Sequence, residues 1–340
     1  MPTALQKKRH WLLYTLLLLL LTGVAVVLSL TTGEIAIRLT DIPRHLSDTG
    51  SLEHGVLWHL RIPRTLLGFA IGGGLSLAGA ILQGIYRNPL VEPYTLGISG
   101  GASLGVTLVI VLGLQSMSIV FLPVAGFIGA LATIFLVYTL SIRKGALNIT
   151  RMLLIGLMIS FISSSIMMFL MSITTRDNIP GIVFWIMGSL SAQSNPMMVW
   201  GMVSLSLICL FLAYLFVMPL NALRLGEVKA THLGINANAT IRILFIITSL
   251  LAGACVAVAG IIGFVGLVIP HIVRQWVGTD YRILLISSFF SGSIFLILCD
   301  IVARTIISPN ELPIGVITGI VGGVFFVILL SRSLKKTPSL

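Results

Sequence analysis

Charge is what this chain has least of. Only 9% of its 340 residues are Asp, Glu, Lys or Arg, and the acids among them number 10. A soluble domain carries about 25% charged residues to face water. With 57% hydrophobic residues and a mean hydropathy of +1.09, this chain has no such coat and is an integral membrane protein. Cysteine is nearly as scarce. Cys209, Cys255 and Cys299 stand alone in apolar runs without CxxC spacing, so they read as buried thiols and neither a disulfide nor a metal framework is expected. Catalytic patterns are missing too: there is no Walker A loop, HExxH, GxSxG or carboxylate pair placed for acid–base work, which argues against an embedded enzyme and implies no cofactor. The formal charge of +11 is not a nucleic-acid footprint, because no basic run exceeds Lys7-Lys8-Arg9 and no aromatic-studded basic patch occurs. An ion-driven carrier would place carboxylates near the bilayer midplane, and only Asp300 comes close. Four residues from Arg304 on one helix, it reads as half of a structural pair with a snorkelling arginine. If transport is energised, the energy comes from another subunit.

What the chain does have is apolar length. Between Arg242 and Arg274 it runs 31 residues without a Lys, Arg, Asp or Glu, through Gly253, Gly260, Gly263, Gly266 and Pro270. A membrane span takes roughly 20 residues, so this is too long for one span and too short for two full ones. A full helix followed by a short, glycine-broken one fits, and a backbone break at membrane depth survives only inside protein or beside a water-filled path. Similar windows predict ten spans: 11–30, 65–84, 95–113, 118–140, 152–173, 195–217, 240–259, 262–275 (the short one), 282–304 and 313–331. Trp11 to Leu30 could mimic a signal peptide, but no clear small-residue cleavage site follows, so it reads as a retained first span.

Ten spans put both termini on one side, and the positive-inside rule makes that side cytoplasmic. Of 21 Lys and Arg residues, 15 then fall inside, among them Lys144, Lys335 and Lys336, leaving Arg38, Arg44, Arg61, Arg64, Arg176 and Arg304 outside. One span more or fewer before the short helix would scramble the assignment. The expected architecture is therefore an all-α polytopic bundle, one domain over residues 1–340, with a periplasmic loop at 31–63 and a cytoplasmic segment at 219–239. In that segment Leu220–Leu225 and Glu227–Leu233 read as short helical turns separated by Gly226 and stopped by Gly234, with Leu223, Val228, Ala230 and Leu233 giving an apolar side. Such turns lie on lipid headgroups or dock a cytoplasmic partner.

Longer motifs narrow the choice. Arg61-Ile62-Pro63-Arg64-Thr65, Gly79-Ala80-Ile81-Leu82-Gln83-Gly84 and Arg87-Asn88-Pro89-Leu90 come first. Then follow Glu92-Pro93 with Leu96-Gly97-Ile98-Ser99-Gly100-Gly101-Ala102, Leu225-Gly226-Glu227 with Leu233-Gly234-Ile235, Gly263 to Arg274, and Leu312 to Thr318. In this order, over nearly the whole chain, they resemble the permease family of bacterial type II ABC importers for iron-siderophores, haem and cobalamin. One departure is Val324, where the family usually has Pro.

The resemblance implies a ten-span subunit of the inner membrane that dimerises, here as a homodimer, around a pathway for a metal chelate. Two cytoplasmic ATP-binding subunits would sit below and a periplasmic substrate-binding protein above. It implies that Leu220, Asn221, Ala222, Leu223, Arg224, Leu225, Gly226, Glu227, Leu233 and Gly234 couple to the ATPase. It implies that Arg61, Arg64 and Arg304 face acids of the binding protein, although Arg61 and Arg64 could equally anchor the second span at the interface. Ile149 and Thr150 align with the cytoplasmic gate, or else belong to an ordinary loop. Ile179–Ser189 resembles a short outer helix that lines the pathway, or is an interfacial turn held by Trp185. His271 lies in a structural motif without a second ligand nearby, and His45, His54 and His59 are scattered in the outer loop, so no metal site is expected.

Overall fold

Ten long or broken helices in a computed structural model coincide with the ten expected windows; residues 4–48, 50–118, 120–143, 146–191 and 195–334 are described, and Lys144, Lys335 and Lys336 lie outside them. The first half comprises α1 (Ala4–Thr31), α2 (Ile42–Ser47), α3 (Leu52–Gly55), α4 (Ile62–Tyr86), α5 (Ile98–Val111), α6 (Phe121–Ser141) and α7 (Ile149–Ile173). The second comprises α8 (Asn178–Met187), α9 (Pro196–Leu215), α10 (Val217–Leu223), α11 (Glu227–His232), α12 (Ala237–Ala259), α13 (Val265–Val277), α14 (Tyr281–Thr305) and α15 (Ile314–Leu334). The described strands are two-residue pieces, Ile142–Arg143 against Ala146–Leu147, between α6 and α7.

Two expectations need adjusting. The 31–63 segment is partly helical, and its last part runs through a wide turn at Val56–Arg61 into α4, forming a continuous 35-residue rod from Leu52 to Tyr86. Pro63 falls where the wide turn passes into α4, so the missing N–H lies at the change from one helical pitch to the other. The 95–113 window holds only the 14-residue α5, preceded by a short turn at Pro93–Leu96. At about 1.5 Å per residue α5 covers some 21 Å, so it and the 13-residue α13 are each too short to cross the bilayer alone.

Helix α4 is the axis of the bundle. Its residues from Leu67 to Tyr86 are almost all buried, and α9, α12, α13 and α14 pack around it. Lipid offers apolar groups as good as a protein core does, so helices associate here through close approach and small residues. Glycine permits that closeness at two crossings. A Cβ on Gly72 would collide with the Gly292 carbonyl of α14, and one on Gly79 with the Gly266 carbonyl of α13. The three cysteines are buried and unpaired, as their apolar neighbours predict. Helix α7 is the contrast: in its most apolar stretch only 11% of residues are buried, with Phe161 and Phe169 facing outward.

Candidate functional site

The backbone break between α12 and α13 is built from four separate pieces of chain. Gly260 turns at φ 70°, and the Ala259 carbonyl accepts from the Ser189 amide at 2.8 Å. The Ile262 amide donates to the Tyr94 hydroxyl at 3.2 Å, and the Gly188 carbonyl accepts from Ile314 at 3.1 Å, which pins the start of α15 beside the break. Phe264 is left-handed, at φ 69°, and its ring lies so close to Gly322 of α15 that no side chain fits there. Free amides in an apolar setting cost several kcal/mol each if unpaired. Tyr94, Ser189 and Gly188 supply their partners.

The Glu92 carboxyl, in the connection between α4 and α5, is pushed up to about 7 by burial, against the opposing pull of the Phe264 amide. Neither Glu92 nor Tyr94 stands out in sequence as a partner of residues 262–264.

Helix α13 carries Pro270 in its interior, so the carbonyl four residues earlier, that of Gly266, loses its helical donor. Gln83 of α4 fills the gap. Its amide donates to the carbonyls of Gly266 and Leu267, each at 3.2 Å, while its oxygen accepts from Arg274 at 3.2 Å. The break and the proline are thus both stitched to α4 or its continuation.

At one end of the bundle Arg61, Arg64 and Arg304 come together, as expected, but as buried residues. Arg61 donates to the backbone carbonyls of Leu30, at 2.6 Å, and Ile35. Arg64 splits its guanidinium between Asp300 at 2.7 Å and Glu311 at 2.8 Å. Arg304 reaches the Ser29 carbonyl at 2.6 Å and pairs with Asp300 at 3.6 Å. The Asp300–Arg304 pair read from sequence is therefore part of a larger knot that ties α1, α4, α14 and the 306–313 connection. Glu311, whose side chain is 45% exposed, was not legible as a member. All three arginines line a cavity of about 260 Å³ with Glu34, His59 and Glu311.

The other end holds α10 and α11. Leu220, Ala222, Leu223 and Ala230 are buried in the bundle, whereas Leu225, Val228 and Leu233 project at 58%, 71% and 63% exposure. The apolar side expected of these turns is split: one part anchors them, the other faces outward. Asn221 fixes the anchor by donating to Asp280 and accepting from the Tyr281 amide. Arg224 donates to the Thr279 carbonyl, and Glu227 opens α11. Gly226 and Gly234 sit at φ 106° and 80°, which is why glycine follows each helix there.

Ile149 and Thr150 form the first turn of α7, capped by Asn148, with Ile149 half-buried and Thr150 exposed. Residues 179–189 form α8 and its C-terminal turn, where Trp185 lines a cavity of about 490 Å³ with Gly260 and Pro313. Among the described residues no three His, Cys, Asp or Glu side chains gather as a metal site.

A polytopic bundle with two short, interrupted helices, a charged knot at one end and the α10–α11 pair at the other fits the class of membrane transport permeases. The model of the FecCD transport family matches residues 18–332, and the chain is a member of that family. It is 38% identical over 288 residues to the hemin transport system permease protein HmuU of Yersinia pestis, covering 82% of this chain and 85% of that one. It is 36% identical to the vitamin B12 import system permease protein BtuC of Klebsiella pneumoniae, over 96% and 95% of the two chains. A solved metal-chelate type ABC transporter, in an inward-facing conformation, superposes with a TM-score of 0.83 at 31% identity, covering 94% of this chain and 98% of that one. This chain is the permease subunit of an ABC importer.

Proposed function

We propose that the permease passes a metal chelate, of the haem, cobalamin or iron-siderophore kind, across the bacterial inner membrane by alternating access. The observation that carries this reading is the agreement of 94% of the chain with a metal-chelate type ABC transporter at a TM-score of 0.83. The relatives that carry hemin and vitamin B12 support the substrate class. Two copies enclose the pathway between them, which gives the exposed apolar flanks of α7 and α15 a partner other than lipid. The family's relatives are permeases of ABC importers, so ATP hydrolysis by two separate subunits drives the cycle.

In this reading Leu225, Val228 and Leu233 enter the ATPase, while Leu220, Leu223 and Ala230 carry the movement into the bundle. A substrate-binding protein docks over the cavity lined by Arg61, Arg64 and Arg304, its carboxylate competing with Glu311 for Arg64. Ile149 and Thr150, at the α10–α11 end of α7, serve the inner gate.

Reconstituted uptake tests the core of this. Proteoliposomes holding the permease with the ATPase subunit in the lumen, and a haem- or cobalamin-loaded binding protein outside, should accumulate chelate only with ATP in the lumen. Uptake without the ATPase subunit would overturn the reading.

A further inference from the structure

At the α10–α11 end, a cavity of about 340 Å³ opens where α4 ends. Arg87, Arg224, His271 and Arg274 line it, from three different helices or their caps, together with the Tyr281 side chain, and no acidic residue does. Among the described residues none of the three arginines enters an ion pair, so these cations have no carboxylate of their own. Asp280, the neighbouring acid, is occupied by Asn221 and by the Arg282 amide. Like charges gathered without a counter-ion repel one another, and a carboxylate placed among them relieves that repulsion.

Arg87 adds a second, independent sign. It caps α4 in the left-handed conformation, at φ 50° and ψ 33°, a position that favours glycine. An arginine held there against its backbone preference, with its guanidinium beside Gly226 of the α10–α11 turn, is kept for its side chain. The cavity reaches the α10–α11 segment at Arg224, the residue before Leu225. It also lies at the end of α4, which other helices surround, so it faces the end of the bundle and not its lipid flank.

From this geometry we infer that the cavity is an anion socket that receives a carboxylate side chain of the ATPase subunit seated on α10 and α11. The planar guanidinium forks of Arg87 and Arg224 suit a carboxylate. The inference rests on the coupling role proposed above for those helices.

Its test measures affinity of the cognate ATPase subunit for the permease in nanodiscs of phosphatidylcholine alone, at low and high salt. The socket predicts that Arg87→Glu weakens binding by about tenfold or more at low salt, that Arg87→Lys keeps most of it, and that salt dependence shrinks in Arg87→Gln. Arg87→Gly separates fold from function. It relieves the left-handed strain and should melt no lower than the parent, yet bind the ATPase less well. Unchanged affinity in Arg87→Glu and Arg224→Glu, with Val228→Asp still losing the ATPase, overturns the socket and leaves the coupling role standing. Unchanged affinity in Val228→Asp and Leu225→Asp overturns the coupling role, and the socket with it. Loss of co-purifying anionic phospholipid in Arg87→Glu, at unaltered ATPase affinity, assigns the socket to a lipid headgroup and overturns the inference.

Discussion

Asp300 holds two arginines with one carboxylate, Arg64 at 2.7 Å and Arg304 at 3.6 Å, in a site that is almost fully buried. Removing the acid leaves two cations with too little counter-charge, and breaking a buried pair in this one-sided way costs about 3–5 kcal/mol. Asp300→Asn should therefore melt markedly lower in detergent, whereas Glu311→Gln, at the exposed edge of the same knot, should cost about 1 kcal/mol or less. Equal losses would show that the knot is not organised around Asp300. Glu92 makes a pH prediction. Its folded carboxyl titrates near 7, above the ordinary 4.5, so the native state keeps a proton that the unfolded chain releases earlier. Stability then falls as pH rises between those two values. Melting temperature should drop from about pH 5 to about pH 8, and Glu92→Gln should flatten that slope. A slope unchanged in Glu92→Gln would assign it to another group.

At the scale of elements, α13 is the most dependent helix in the molecule, because Pro270 removes one of its donors and the break before it removes the preceding turn. Its order comes from α4. Gln83→Leu strips the Gly266 carbonyl of its partner and should cost about 1–3 kcal/mol, while Gln83→Glu keeps an acceptor for Arg274 but not the donor and should recover little. Thermal melts of the two variants against the parent decide this, and a fully stable Gln83→Leu would mean that water or a neighbour fills the place. Much of this element was legible: the charge-free run, the glycines and the proline give a long helix followed by a short one. Its tethers were not, because Tyr94, Ser189 and Gln83 lie far from residues 259–274 in sequence and look like ordinary polar residues.

For the whole molecule, the distribution of Lys and Arg sets the orientation, since long apolar helices insert equally well either way and the cationic loops stay inside. A fluorescent protein fused after Leu340 should glow, and alkaline phosphatase fused after Asp48 should be active, because they report opposite sides. The reverse pattern would invert the coupling and docking ends together. The three arginines proposed for docking illustrate where sequence reasoning stops. That Arg61, Arg64 and Arg304 share an end follows from topology, but that they are buried around Asp300 and Glu311 depends on how α1, α4, α14 and the 306–313 connection meet.

By itself, then, the sequence determines that this protein lives in a membrane, crosses it about ten times, breaks one crossing at Gly260–Gly263 and keeps two short helical turns within 220–233, because lipid thickness, glycine and charge act locally along a chain. Tertiary structure decides which side chains complete the broken backbone, which faces of α10 and α11 are anchored and which project, and how three arginines come to share one cavity. Those outcomes depend on distances between residues as far apart as Gln83 and Gly266, and in a membrane, where burial does not tell one apolar face from another, only the close fit of neighbouring helices selects them.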